Sequence, residues 1–302
     1  MNTSSSENTP IGVSRPTSTP RGNASRIVVR VPPRRLTPRL GSTGTHFHLA
    51  AHFGANYVKK YYFDTYLGLL WIPLLPVLDI LMRALLFGGF LGVPSGDRPY
   101  LVFLLVGSIG WYFYDRTTLW SYRSLQFNRR DYRSVPVPWL PAVTGAVVPG
   151  ALQGILYALI ALVVCGYYRI TEGSFYVSIG SGSTYAIVGL LLLLLYAWTL
   201  GLLFAPLVRI IRDVRLVLRY VFAFWYMLTP ILYSVQTIPA RYQAIAVYNP
   251  LTAPVEFIRR GLLGTPLPTE RSVVTSVVVL AALMPIAFLL FARAERAAHA
   301  RL

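Results

Sequence analysis

This chain is short of the residues on which most enzymes and small secreted domains depend. It has one cysteine, Cys165, so it can form no internal disulfide. Its four histidines are His46, His48, His52 and His299. The first three cluster, but no carboxylate or cysteine stands with them, which reads as a solvated helix face rather than a metal set. The only lysines are Lys59 and Lys60, followed by Lys and Tyr rather than the Ser or Thr of a phosphate-binding loop. Binding of ATP through such a loop is therefore excluded. Acids number 11 and are scattered. An intramembrane transferase would need an acid pair, a metal motif or a His–acid constellation, and none is present. No internal repeat is visible, which weighs against a secondary transporter built from repeats, although Pro73 and Pro76 can break the first apolar run. No cofactor is implied.

What the chain does have is hydrocarbon. Its 302 residues are 55% hydrophobic with a mean hydropathy of +0.53, outside the range of ordinary soluble domains. A helix needs about 20 apolar residues to cross about 30 Å of hydrocarbon. Six stretches qualify: Tyr66–Phe90, Tyr100–Tyr122, Leu140–Tyr167, Ser183–Val208, Leu216–Ser234 and Ser272–Phe291. The expected fold is an all-α membrane protein of six transmembrane helices. Residues 46–302 form one membrane domain, and the Ser-, Thr-, Pro- and Arg-rich residues 1–45, with Glu7 as their one acid, form a basic tail unable to bury a core.

The formal charge of +17 comes mostly from arginine. The arginines alternate with apolar spans, which favours anionic lipid headgroups over nucleic acid as the partner. Arg123, Arg129, Arg130 and Arg133 follow the second span; Arg209, Arg212, Arg215 and Arg219 follow the fourth. Short basic loops stay inside, so both termini are expected in the cytosol of a cell (inner) membrane protein. Between His46 and Phe63, Leu49, Ala50, Phe53, Tyr57 and Tyr61 recur at helical spacing, which predicts an amphipathic surface helix before the first span. The connection from Gln236 to Arg271 breaks the charge rule. It should lie outside, yet it carries Arg241, Arg259, Arg260 and Arg271, with Glu256 and Glu270 in partial compensation. Its many apolar residues predict two short re-entrant helices on the outer face, joined by Asn249-Pro250, with Asn249 as a cap.

In order along the chain stand Asp64-Thr65-Tyr66-Leu67-Gly68-Leu69-Leu70-Trp71, Phe103-Leu104-Leu105-Val106-Gly107 with Trp111 and Phe113, Asn128 with Pro136, Pro138 and Leu140-Pro141, and Arg212-Asp213. After them come Thr229-Pro230-Ile231-Leu232-Tyr233, Pro239, Tyr248-Asn249-Pro250-Leu251-Thr252, Glu256 and Arg259. This succession resembles the permease subunit of type-2 ABC exporters, in the branch that moves O-antigen, capsule or teichoic acid chains. The turn after Asn128 departs from the family pattern, with Arg129-Arg130-Asp131-Tyr132-Arg133-Ser134-Val135 before Pro136.

The resemblance implies a transport subunit that is not itself an enzyme, a separate ATP-binding cassette subunit, a second copy of the chain around one conduit, and a lipid-linked glycan as cargo. Drug or lipid export shares the architecture and remains the alternative. Conduit candidates are Trp71, the intramembrane pair Asp79 and Arg83, and Phe222, Trp225, Tyr226 and Tyr233. Aromatic rings offer flat faces to sugars but also gather at membrane interfaces. Asp79 and Arg83, four residues apart, are either a polar conduit wall or a self-compensated pair. Candidates for contact with the ATPase are Asn128, Arg129, Arg130, Arg212 and Asp213, whose charges equally serve as cytosolic anchors. Asn249, Pro250, Glu256 and Arg259 mark the outer-face helices.

Overall fold

The computed structural model describes residues 43–62, 70–128, 138–178 and 180–300. Residues 1–42 of the basic tail, Arg129, Arg130, Arg133, Pro136 and the first residues of the first apolar stretch lie outside the described residues, and α1 begins inside the expected tail, at Thr43. Their regular structure is helical, with no strand among the described residues. In chain order they are α1 (Thr43–Tyr62), α2 (Trp71–Arg83, extended by a wide-turn segment Ala84–Phe90), α3 (Tyr100–Phe127), α4 (Leu140–Gly145), α5 (Val147–Thr171), α6 (Ser183–Ile210), α7 (Val214–Leu228), α8 (Ala240–Val247), α9 (Thr252–Leu263) and α10 (Glu270–His299).

Four helical stretches, Trp71–Phe90, Leu140–Thr171, Ser183–Ile210 and Glu270–Ala298, are long and apolar enough to cross a membrane. The second apolar stretch is also one helix, α3, of 28 residues, about 42 Å at 1.5 Å per residue. It carries Asp115, Arg116 and several Ser, Thr and Gly, which lower its hydropathy because it is the centre of the bundle. Val102 to Val106, Tyr114 and Leu125 on it are buried.

The fifth stretch differs from its expected bounds. Its helix, α7, ends at Leu228 after 15 residues, about 22 Å. Pro230 is the reason. A proline disfavours the helical conformation of the residue before it, and Thr229 is extended at φ −82°, ψ 134°. The wide turn that ends the first stretch has a similar local origin. Leu91 N–H reaches back five residues to Leu86 C=O at 2.9 Å, next to Gly88 and Gly89, where Gly88 makes room for the Tyr100 ring.

Small residues let the helices approach closely, as lipid-embedded packing requires when apolar burial alone gives no preference for protein over lipid. A Cβ on Gly201 of α6 would lie 2.3 Å from Ser121 Cβ of α3, and one on Gly261 of α9 would lie 2.4 Å from the Ala186 nitrogen of α6. At the other end, Gly54 of α1 and Gly145 of α4 face each other. A Cβ on Gly145 would lie 2.5 Å from Ala50 O and 3.0 Å from Gly54 N. The amphipathic reading of α1 holds: Ala50, Phe53 and Tyr57 are buried, while His48, His52, Lys59 and Lys60 are exposed.

Candidate functional site

Asp79 and Arg83 meet on one face of α2, as their spacing requires. Arg83 Nε and Nη2 both lie 2.9 Å from Asp79 Oδ1. The second carboxylate oxygen leaves the helix's own face. It accepts from Tyr112 Oη of α3 and from Tyr157 Oη of α5, the latter at 3.2 Å. Those two rings stack at 4.2 Å and 7°, and the Arg83 guanidinium lies 4.3 Å over the Tyr226 ring of α7. The carboxylate therefore gathers three helices, and through Arg83 the pair reaches a fourth. With side chains 21% and 25% exposed, the pair is largely shielded and its polar atoms are matched, so the arrangement works as an interhelical lock as well as a compensated charge.

The aromatic residues of α7 divide by face. Leu218, Phe222 and Tyr226 are buried at the four-residue spacing of one helix face. Phe222 stacks on Tyr122 at 6.2 Å and 6°, and Tyr226 meets Trp111 edge-on at 5.2 Å. Both face α3. Trp225 and Tyr233 are half-buried, as is Trp71 in the first turn of α2. Tyr233 Oη donates to the Met227 and Leu228 carbonyls at 2.9 and 3.2 Å, closing the end of α7. The exposed rings of α7 are Tyr220 and Phe224, which aromatic content alone does not separate from the others. Burial at a four-residue period is the signal that does.

The run Thr229 to Arg259, distant in sequence, closes on the break after α7. The turn after a helix end also leaves backbone carbonyls in need of donors. Here Arg259 of α9, fully enclosed, donates from Nη1 to Pro230 O and from Nη2 to Ile231 O at 2.6 Å. Its guanidinium lies 3.8 Å over the Phe103 ring, and Gly107 provides the space, since a Cβ there would sit 2.7 Å from Nη2. Asn249 completes the junction. Its Oδ1 accepts from Trp225 Nε1 at 2.9 Å and from Leu251 N at 3.1 Å, and its Nδ2 donates to Thr229 Oγ1 at 3.0 Å. Asn249 thus holds the turn between α8 and α9, with α9 starting three residues on at Thr252. Pro250 is half-buried beside it. Burial pushes the Glu256 carboxyl up to about 7, with Arg259 pulling the other way. Burial draws Arg259 down to about 10, against the Glu256 charge.

Arg260, another of the arginines that broke the charge rule, also finds a carbonyl, Thr265 O at 3.0 Å, and Arg98, from the connection before α3, donates to Leu263 O, both at the C-terminal end of α9 where Gly264 turns left-handed at φ 68°. Cations there complement the helix dipole and satisfy orphan carbonyls. Arg259 and Arg260 thus serve as donors to backbone carbonyls, a requirement separate from membrane orientation.

At the opposite end, Asn128 is buried. Its Nδ2 donates to Tyr57 Oη at 2.9 Å and to Ser124 O at 3.0 Å, while Tyr57 Oη donates to Ala142 O at 3.0 Å. Tyr57 stacks on Trp120 at 5.3 Å, and burial drives its phenol far above its ordinary range. Asn128 therefore ties α1 and α4 to the end of α3. Arg212 and Asp213 are exposed in the turn between α6 and α7. Glu295 of α10 accepts from the Trp139 N–H at 2.7 Å, satisfying the start of α4. Among the described residues, no group of three His, Cys, Asp or Glu is placed to hold a metal ion.

Two comparisons bear on these constellations. Over 201 residues, 65% of this chain and 74% of the relative, the sequence is 24% identical to the polysialic acid transport protein KpsM of Escherichia coli. The family model of the ABC-2 type transporter matches residues 54–263, from the α1 glycine through the polar lock and the α7 break to the last residue of α9. That is more than half of the chain, and the chain belongs to the ABC-2 type transporter family.

Proposed function

We propose that this protein is the membrane-spanning subunit of an ATP-driven exporter that moves a lipid-linked polysaccharide across the cytoplasmic membrane. Family membership makes it a transport subunit, with ATP hydrolysis in a separate partner. The similarity to a polysialic acid transport protein is the observation that carries the choice of a glycan cargo. In this reading α2, α3, α4–α5, α6, α7 and α10 are the six spans, both termini are cytosolic, α1 lies on the cytosolic surface, and α8 and α9 dip into the outer face.

Two copies then flank one conduit. The unburied sides of α2 and α7 support this. Leu74, Leu78, Leu81 and Leu85 on α2, and Val217, Tyr220, Val221 and Phe224 on α7, are exposed apolar side chains on two helices that the rest of the protomer covers thinly. Tyr220 and Phe224 join Trp71, Trp225 and Tyr233 as the rings within reach of a cargo. Phe222, Tyr226, Asp79 and Arg83 shape the wall from behind. On the cytosolic side, Arg212 and Asp213 are the exposed candidates for contact with the ATPase, and Asn128 holds the platform on which α1 rests.

The test is copurification with an ATP-binding cassette subunit, followed by delivery of a lipid-linked glycan across vesicles. ATP-dependent transfer supports the proposal. Efflux of a drug or lipid with no glycan movement would replace the cargo, and nucleotide hydrolysis by the purified chain alone would refute the division of labour.

A further inference from the structure

α7 is fastened very differently at its two ends. At the outer end, Arg259 bridges the Pro230 and Ile231 carbonyls, Asn249 bridges Trp225, Leu251 and Thr229, and Tyr233 closes the last turn. Between the charged side chain and the backbone there is no slack, because Phe103 lies against one face of the guanidinium and Gly107 leaves only the space it fills. At the inner end, Leu218 is the one buried residue of the first two turns, and Arg215 Nη1 reaches Gln126 Oε1 of α3 at 3.5 Å, the outer limit of a hydrogen bond. Ile211, the residue that follows α6, is extended, at φ −112° and ψ 106°, so α6 and α7 are joined by a non-helical link.

We infer that Arg259 is a positioning residue: it fixes the outer end of α7 to α9 and α3, so that the helix pivots there and its movement is concentrated at the inner end, at the Ile211–Asp213 link. A forked guanidinium suits this task. It holds two carbonyls at once in a fixed geometry, which an ammonium on a flexible stem does not. The carbonyls of the turn that follows the proline stop need donors in a medium without water, where each unsatisfied group is costly. Movement that begins near Arg212 and Asp213 is then delivered along α7 to Tyr220 and Phe224, while Trp225 and the residues beyond stay with α9. The inference deepens the transporter reading and rests on it for the origin of the movement, but the clasp itself can be tested without transport.

The experiment uses the full chain with its ATPase partner in nanodiscs, with Cys165→Ala as background, and measures spin-label distances. An outer pair is placed at Met227 and Ile245, and an inner pair at Leu207 and Val217, all exposed positions. In the parent, the outer pair gives one narrow distribution with and without ATP and vanadate, and the inner pair shifts. Arg259→Gln broadens the outer pair, and export per folded complex falls about tenfold, the scale of one lost charge-assisted hydrogen bond, while ATP hydrolysis persists. Arg259→Lys recovers part of the export. Gly107→Ala is the second variant, since its Cβ displaces the same guanidinium. It gives the same broadening, and combining it with Arg259→Gln adds nothing further. An outer pair as narrow in Arg259→Gln or Gly107→Ala as in the parent overturns the clasp. An inner pair that ignores nucleotide in a parent that exports nothing overturns the transporter reading and leaves the clasp result standing.

Discussion

Replacing Asp79 by alanine removes the acceptor shared by α2, α3 and α5. The expected cost can be assembled from the contacts. The Arg83 pair has two N–H···O contacts of 2.9 Å on one oxygen, with both side chains about three-quarters shielded. Exposed ion pairs contribute about 0–1 kcal/mol, and breaking a fully buried pair costs about 3–5 kcal/mol, so this one falls near 2 kcal/mol. Tyr112 and Tyr157 lose their acceptor as well. Their stacked phenols lie close enough to satisfy each other in part, so the two together add about 1 kcal/mol. The sum is about 3 kcal/mol. Much of it comes from the guanidinium, which loses its carboxylate and is left against the Tyr226 side chain. Asp79→Ala combined with Arg83→Met therefore unfolds closer to the parent than Asp79→Ala alone, by about 1–2 kcal/mol. The assay is equilibrium unfolding in mixed micelles for the parent, both single variants and the double. A cost below about 1 kcal/mol for Asp79→Ala, or a double variant equal to the sum of the singles, refutes the lock. A fully stable Asp79→Ala protein that fails to export would instead make the pair a conduit wall.

Other outcomes follow from the same geometry. Gly145→Ala drives a methyl into the Ala50 carbonyl at 2.5 Å; the overpacking costs about 1–3 kcal/mol and loosens α1, read as faster proteolysis between Thr43 and Tyr62 with the remaining helices intact. Tyr57→Phe leaves the Ala142 carbonyl and Asn128 without the phenol between them and lowers stability by about 1–2 kcal/mol in the same micelle assay; an unchanged midpoint would show that the bridge carries no weight. For Glu256, the ordinary carboxyl value of 4.5 rises to about 7 on folding. Its contribution to stability is then full below pH 4.5 and lost as pH climbs through 7. Thermal unfolding of the parent should strengthen relative to Glu256→Gln as pH is lowered across that window, and parallel curves would sink the assignment.

Much of this architecture was readable from residue order alone. Apolar length marks four helical stretches able to cross a membrane, because hydrocarbon accepts backbone only with its own hydrogen bonds closed. Helical spacing gave the buried side of α1 and the meeting of Asp79 with Arg83, since both depend on residues within one helix. Asn249-Pro250 marked the junction of two short helices because its signal is local too. The same reasoning overextended the fifth apolar stretch through Thr229 to Ser234, although Pro230 ends the helix.

What only the tertiary structure decided are the partners. Nothing in the sequence joins Asp79 to Tyr112 and Tyr157, Arg259 to the carbonyls of Pro230 and Ile231, or Asn128 to Tyr57. These contacts bridge from 28 to 78 positions of chain. Composition could list the aromatics of α7 but could not divide Phe222 and Tyr226, turned into the protomer, from Tyr220 and Phe224, turned out. Composition and spacing fix which residues a helix carries and where it can run. Which of its faces is covered, and which buried donor meets which orphan carbonyl, depends on how glycine-lined helices come together in space.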